Sequence, residues 1–483
     1  MKLRELLQNV QVVQATADMD MEIAHVAYDS RKVGAGDLFV AVTGFASDGN
    51  RFIPMAMEKG ATCVVSAKPL PEGVPGVQVV SDRLALAQIG ANYFGQPGKK
   101  LKLIGITGTN GKTSATLLLK CVIEQVQGAK VGLIGTMDNW IGDKRIPAER
   151  TTPESFELQG LLAAMVEAGC TYAIMEVSSH AIALDRVGGL HYEVAAFTNL
   201  TEDHLDFHKT MENYCDTKAE LFARCSRAVV NGDDPWCSRI LGKCTCPVIT
   251  TSVKSPAGLW AENLELLPDG VTFTARYGQQ SVPVRVPIPG KFTVYNALTV
   301  LGCALSLGIS LEAAAGALAT APGVKGRVEV VPTPGKPYTV LIDYAHTPDG
   351  LENVLQSVKG FCKGRVIVVF GCGGDRDPMK RPIMGKIATD LSDLAVITSD
   401  NPRTEEPMAI IQDILAGVDS GKKNYKVIEN RPKAIAYAMD IGEKHDIIIL
   451  AGKGHETYQE IQGVKHHLDE REVVAAYLEE KRN

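Results

Sequence analysis

The sequence has no basic tract, and its formal net charge at pH 7 is only -6. Without a cationic stripe to meet phosphates or anionic headgroups, neither nucleic acid nor a membrane surface is an expected partner. No run of about 18 apolar residues occurs, and the leading M-K-L-R-E-L-L-Q-N-V lacks the apolar centre of a secretory signal. A cytoplasmic protein without membrane insertion is therefore expected. A C-x-x-C pair is also missing. The 11 cysteines are scattered and odd in number, which excludes complete intramolecular pairing, and only Cys244 and Cys246 are close in sequence. They read as free thiols in a reducing compartment. Low-complexity tracts and internal repeats are absent.

What remains is globular: 483 residues, 45% hydrophobic and 22% charged, enough for roughly three domains with separate cores. Two Gly/Pro-rich breaks, F-G-Q-P-G-K-K (94–100) and A-P-G-V-K-G-R (321–327), give expected domains 1–98, 99–326 and 327–483. Short strand-like runs mark the first, D-L-F-V-A-V (37–42) and C-V-V-S (63–66). In the last, V-I-V-V-F (366–370), L-A-V-I-T (394–398) and I-I-I-L (447–450) alternate with helical patterns, as the middle segment does from L-K-L-I-G-I-T (101–107) onward. This alternation predicts an α/β fold with mostly parallel sheets covered on both faces.

One stretch carries chemistry openly. I-G-I-T-G-T-N-G-K-T-S (104–114) nearly matches the phosphate loop G-x-x-x-x-G-K-[ST], except that the leading glycine is Gly105 where the pattern falls on Ile106. The context is right: an apolar strand before it, and T-S-A-T-L-L-L-K-C-V-I-E (113–124), a strong helix, after it. Amides from Thr109 to Thr113 are expected to wrap a phosphate where the helix dipole favours anions. Lys112 would supply a point charge to the β/γ-phosphates and the Thr113 hydroxyl a Mg²⁺ ligand. The strand in Y-A-I-M-E-V-S-S-H (172–180) ends at Glu176, where an acidic Mg²⁺ ligand belongs. No N-K-x-D guanine-reading motif follows Asn199, so ATP is expected rather than GTP.

The shifted glycine fits a family. G-x-T-G-T-N-G-K-T resembles the loop of the Mur ligase superfamily, the ATP-dependent amide-forming enzymes of peptidoglycan assembly. Further matches follow in order along the chain: D-S-R-K-V-G-A-G-D-L-F-V-A (29–41), T-N-L-T-E-D-H-L-D-F-H (198–208), Y-C-D-T-K-A-E-L-F (214–222), G-R-V-E (326–329) and D-Y-A-H-T-P-D (343–349). S-D-N-P-R-T-E-E-P (399–407) and G-K-G-H-E (452–456) resemble the superfamily members that add meso-diaminopimelate. The resemblance implies a first domain for a UDP-sugar-peptide, a central P-loop ATPase domain and a Rossmann-like C-terminal domain that recognises the incoming amino acid. The implied substrates are ATP, UDP-N-acetylmuramoyl-L-Ala-D-Glu and meso-diaminopimelate. The D-Glu γ-carboxylate would be activated as an acyl phosphate and attacked by the amine.

Site residues carry over position by position. The loop Gly108, Thr109, Asn110, Gly111, Lys112, Thr113 and Ser114 would bind ATP, with Asn296 and His346 near adenosine. Arg327 would reach the terminal phosphates from the third domain, which would make domain closure part of catalysis. Two Mg²⁺ ions are implied, one with Thr113 and Glu176, the other with Glu176, His204 and Lys218. A lysine ammonium has no lone pair, but family members carry this lysine as N6-carboxylysine. Without the resemblance, Lys218 reads as a solvated helix lysine and His204 as a structural histidine; His208 keeps that structural reading. Ser30, Thr151, Thr152, Ser178 and Arg186 are implied at the UDP-muramoyl-dipeptide, with Arg150 and Leu184 standing where relatives carry Asn and Gln. Diaminopimelate has a distal carboxylate that lysine lacks. Arg376, Asp400, Asn401, Pro402, Arg403, Gly452 and Glu456 are implied around that zwitterionic end, Arg403 as a bidentate fork. A lysine-adding ligase, a folylpolyglutamate synthetase and a non-catalytic nucleotide-binding scaffold are the competing readings. Intact Lys112, Glu176, His204 and Lys218 argue against the scaffold.

Overall fold

The run K-L-I-G-I-T forms the strand Lys102–Thr107, buried everywhere but at its first residue. A strand apolar on both faces belongs inside a sheet. It pairs in parallel with Tyr172–Glu176 on one side and Tyr192–Phe197 on the other. Val131–Ile134, Cys225–Asn231 and Val248–Ser252 extend the parallel array, and the antiparallel hairpin Asp138–Ile141/Lys144–Pro147 closes one edge. The expected helix after the loop runs Lys112–Gln127 and ends at Gly128 in the left-handed conformation.

This computed structural model describes residues 1–44 and 47–481. The chain divides into two compact units, Met1–Trp260 with Leu298–Ala317, and Ala261–Ala297 with Leu318–Asn483. The first unit contains a second, separate sheet in the order Val12–Ala15, Gly76–Val79, Cys63–Ser66, Leu38–Val40, Val26–Ala27. All its pairings are parallel except that of Val12–Ala15. Its helix Asp82–Tyr93 is capped by the Ser81 hydroxyl. That helix meets Ser155–Glu167 through Tyr93, Phe94 and Phe156, whose ring centroids lie 5.0 to 5.6 Å apart. The leading segment is thereby pinned beside the nucleotide-loop sheet.

In the second unit a six-stranded sheet runs Glu329–Val331, Thr339–Asp343, Ile447–Ala451, Val366–Phe370, Leu394–Ile397, Tyr425–Val427. Only Glu329–Val331 is antiparallel. The side-chain period of two sorts the strands between two cores. Val366, Val368 and Phe370 join Leu351, Leu355, Met384 and Ile411 on one face. Ile367 and Val369 join Ile435, Met439, Val474 and Leu478 on the other. The late strand Ile447–Ala451 inserts between two earlier ones, and the carboxyl ends of neighbouring strands beside such an insertion form the usual ligand crevice. Among the described residues no helix is long and apolar enough to cross a membrane.

Candidate active site

The loop backbone explains its glycines. Gly108 has φ 146°, and a Cβ there would lie 1.9 Å from the Thr198 hydroxyl oxygen, so no side chain fits. Gly111, φ 85°, turns the chain into the helix, whose start has no side-chain cap and so presents amides and the positive end of the dipole. Two of the loop amides already have partners. The Thr109 and Asn110 amides donate to the backbone oxygen and Oδ1 of Asn199, at 2.8 and 2.9 Å, instead of lying open to a phosphate. The cause is topological. Asn199 follows the strand Tyr192–Phe197, a direct neighbour of Lys102–Thr107, so the two carboxyl-end loops run side by side.

The Lys112 ammonium folds back onto the carbonyls of Gly108 and Thr109, at 2.9 and 2.8 Å. Lys218, 110 residues away, donates to the same Gly108 oxygen at 3.0 Å. It is buried, with its ammonium 4.6 Å from the Tyr214 ring centroid. Burial, and then the positive charge of Lys112, holds the Lys218 amine well below the ordinary lysine range. A neutral amine is what reaction with carbon dioxide to a carbamate requires.

Glu176 is buried at its strand end. Its carboxylate accepts from the Thr136 amide at 3.0 Å and the Thr136 hydroxyl at 2.9 Å, and Thr136 Oγ1 lies 3.1 Å from Thr151 Oγ1. Thr152 donates to the Glu176 backbone oxygen at 2.8 Å, its hydroxyl accepts from the Ser178 amide at 3.2 Å, and its carbonyl accepts from Arg186 at 3.2 Å. The expected carboxylate and four of the five expected substrate residues thus form one connected network. Thr136 was missed by sequence reasoning because it lies in a loop without a motif of its own. His204 stands at φ 54° beside Asp203, 3.3 Å away, with its ring edge-on to His180 at 4.8 Å. His208 bonds Ser179 at 2.9 Å. Burial, then His180, pushes the His208 imidazole down to about 4, as suits a neutral structural residue.

Among the described residues no three His, Cys, Asp or Glu side chains gather into a closed metal cage. Mg²⁺ does not need one: it commonly takes one or two carboxylates and completes its shell with phosphate oxygens and water. The Thr113 hydroxyl and Glu176 suit such a cation. Lys218 suits it only as a carbamate, to which its buried, depressed amine is disposed.

Within the first unit a cavity of about 1120 Å³ is lined from both sheets, Ser30, Tyr28 and Arg83 on one side, Arg150, Glu154 and Glu157 on the other. Glu154 gathers arginines: Arg186 at 2.9 Å, Arg83 at 3.5 Å and Arg150 at 3.7 Å. Arg150 therefore lines the cavity itself. Leu184 contributes a backbone oxygen, which accepts from Arg83 at 3.1 Å. Tyr28 donates to Glu157, and burial followed by that carboxylate keeps the phenol protonated well above its ordinary range.

In the second unit Arg327 stacks 5.4 Å over the Tyr344 ring, and His346 Nδ1 lies 2.8 Å from the Tyr344 oxygen. Asn296 is buried on the helix Lys291–Ser306. The expected amino-acid residues converge at three adjacent strand ends. Arg376 follows Val366–Phe370, Asp400–Arg403 follow Leu394–Ile397, and Gly452 and Glu456 follow Ile447–Ala451. Arg403, at φ 51°, donates to the Gly374 oxygen at 2.7 Å and faces Glu460 at 3.4 Å. Asn401 donates to Glu456 at 2.9 Å. Arg376 remains exposed, bonded to the Asp375 oxygen at 3.0 Å. Two fully buried neighbours were not singled out from the sequence: Lys453, although it lies inside G-K-G-H-E, and Arg431, which lies outside every motif. Arg431 donates to Glu470 at 2.8 Å and to the Ala451 oxygen at 2.7 Å.

Comparison with known proteins covers the whole chain. The family described as "Mur ligase family, catalytic domain" matches residues 22–94, "Mur ligase middle domain" residues 106–304, and "Mur ligase, glutamate ligase domain" residues 326–454. UDP-N-acetylmuramoyl-L-alanyl-D-glutamate–2,6-diaminopimelate ligase of Clostridium tetani is 46% identical over 99% of this chain and 100% of its own. The first such ligase of Clostridium acetobutylicum is 48% identical over 99% and 100%. A solved structure of a ligase with that name superposes with TM-score 0.76 at 31% identity, covering 100% of this chain and 99% of the other. MurF ligase from Thermotoga maritima in complex with ADP shares the fold, with TM-score 0.61 at 19% identity over 96% and 100%. The chain belongs to the Mur ligase family.

Proposed function

We propose that the protein is an ATP-dependent ligase that joins meso-diaminopimelate to the D-Glu γ-carboxylate of UDP-N-acetylmuramoyl-L-Ala-D-Glu, a step in peptidoglycan precursor synthesis. The observation that carries this reading is the convergence of Asp400–Arg403, Gly452 and Glu456 at adjacent strand ends, in a chain whose full-length relatives are named for that reaction. We assign 1–98 to the UDP-sugar-peptide, 99–326 to ATP and 327–483 to the amino acid.

A carboxylate is a poor electrophile, so it must first be activated. Its oxygen attacks the γ-phosphorus of ATP, ADP leaves, and an acyl phosphate forms. The amine of diaminopimelate then attacks the acyl carbon, phosphate departs, and the amine proton is lost to solvent or a neighbouring base. Bringing triphosphate and carboxylate together demands concentrated positive charge. Lys112 at the helix start meets the β- and γ-phosphates, and the remaining loop amides hold the triphosphate. Mg²⁺, when bound, neutralises phosphate oxygens; Thr113, Glu176, His204 and Lys218 as N6-carboxylysine are the residues assigned to it. Asn296 and His346 are assigned to adenosine and Arg327 to the terminal phosphates. Ser30, Thr151, Thr152, Ser178 and Arg186 orient the UDP-muramoyl-dipeptide. Thr136, bonded to both Glu176 and Thr151, ties the two sets together.

The test is product formation. Purified protein given ATP, Mg²⁺, the uridine-linked dipeptide and diaminopimelate should release ADP and yield a product heavier by one diaminopimelate residue. Turnover with lysine, or with folate and glutamate, and none with diaminopimelate would replace this reading by a competing one.

A further inference from the structure

Behind Asn401 and Glu456 lies Lys453, with its side chain wholly inside the protein, 0% exposed. Burying an ammonium is unfavourable unless it is paired and hydrogen-bonded. Here both partners are residues assigned to the amino acid. Nζ donates to Asn401 Oδ1 at 2.9 Å and to Glu456 Oε2 at 3.2 Å. The Asn401 amide closes the triangle, Nδ2 to the same Glu456 oxygen at 2.9 Å, while its Oδ1 also accepts from the Glu460 amide at 3.0 Å. These bonds fix which way the Asn401 amide faces and direct one oxygen of Glu456 inward. The backbone is built for this. Gly452 and Gly454 flank Lys453 at φ 113° and 53°, and a Cβ on Gly452 would lie 2.8 Å from Asp400 Oδ2.

The charges form a pattern. Lys453 balances Glu456, and Arg403 faces Glu460 at 3.4 Å. The distal end of diaminopimelate carries a carboxylate and an ammonium together, so it enters a balanced pocket without disturbing the sum. Lysine brings the ammonium alone and leaves one cation more than the carboxylates match.

We infer that Lys453 is a positioning and specificity residue, which holds Asn401 and Glu456 in place and supplies the positive charge that sets the pocket against lysine. This rests on reading that pocket as the diaminopimelate site. The experiment measures kcat and KM for diaminopimelate and lysine in wild type, Lys453→Met, Glu456→Gln and the double variant, with melting curves alongside. Lys453→Met should raise KM for diaminopimelate about 30-fold, with kcat much less changed, as expected when one member of a buried charge pair is lost. Lysine should lose far less, so the diaminopimelate-to-lysine ratio of kcat/KM should fall at least about tenfold. Should Lys453→Met not fold, the double variant against Glu456→Gln carries the same comparison. It removes both buried charges together, which is well tolerated, and the same fall in ratio is expected. A ratio unmoved by loss of Lys453 in either background, while Glu456→Gln weakens diaminopimelate use, overturns the inference and leaves the pocket standing. A Glu456→Gln variant with wild-type diaminopimelate kinetics overturns the pocket itself.

Discussion

At the phosphate loop Lys112 and Lys218 turn their ammonium groups onto one carbonyl, that of Gly108. In the pocket assigned to the amino acid three cations face carboxylates instead: Lys453 faces Glu456, Arg403 faces Glu460 and Arg431 faces Glu470. Burial, and then the positive charge of Lys112, disfavours the protonated form of Lys218 beside that carbonyl. That region gains when an anion arrives, whether triphosphate, acyl phosphate or carbamate. The pocket assigned to the amino acid already pairs its buried cations, and we attribute its selection to whether a ligand keeps that balance. The first arrangement serves rate and the second serves choice, so substitutions should separate along kcat and specificity.

Lys112→Ala should break the first half hardest. Losing the loop's only lysine removes the charge assigned to the transferring phosphoryl group, and kcat should fall about 10³-fold or more with the fold retained. Steady-state ADP release beside a melting curve checks it; near-normal turnover in a folded variant would refute the assignment.

Lys218→Ala should cost about 10²–10³-fold, with partial rescue by a short exogenous carboxylate. The depressed amine favours carbamate formation, so stripping bicarbonate should lower wild-type activity reversibly and leave the alanine variant untouched. Insensitivity of the wild type to carbon dioxide, with no rescue of the variant, would leave Lys218 a simple buried lysine.

Arg403→Ala tests the second half. Truncating one side of a charge pair costs about 2–5 kcal/mol, and the partial exposure of Arg403 points to the lower end, roughly 30- to 150-fold in kcat/KM for diaminopimelate. ATP and dipeptide kinetics should stay near wild type. An unchanged diaminopimelate-to-lysine ratio would return the D-N-P-R stretch to the status of an ordinary turn.

How much of this was legible depends on how far apart the partners are. The phosphate loop, its strand and its helix are contiguous, so residues 101–124 announced their fold and chemistry together. The parallel strands of the last segment were equally plain, because continuous apolar runs such as V-I-V-V-F leave few alternatives. The antiparallel edges at Asp138–Pro147 and Glu329–Val331 were not, since a sheet's edge carries a weaker hydrophobic pattern than its centre. Nor were contacts made across the fold. Tyr28 meets Glu157 across 129 residues, and Lys453 meets Asn401 across 52. Likewise Asn199 intercepts two loop amides through strand adjacency that no local pattern encodes.

Tyr28→Phe probes one of those hidden contacts and should have the smallest effect. Glu157 keeps one buried oxygen without a hydrogen-bond partner already, so losing the phenol leaves its carboxylate less anchored in the cavity wall. KM for the uridine-linked dipeptide should rise about 3- to 10-fold with kcat nearly constant. A change in diaminopimelate KM instead would place the effect of Tyr28 outside the cavity.

The most direct measurement is a competition. Wild-type protein receives ATP, Mg²⁺ and UDP-N-acetylmuramoyl-L-Ala-D-Glu with equal concentrations of meso-diaminopimelate and lysine, and the two tripeptide products are quantified by mass. A balanced pocket that requires the distal carboxylate should give the diaminopimelate product in at least about thirty-fold excess, the ratio that about 2 kcal/mol of discrimination supplies. Equal products, or an excess of the lysine product, would contradict it.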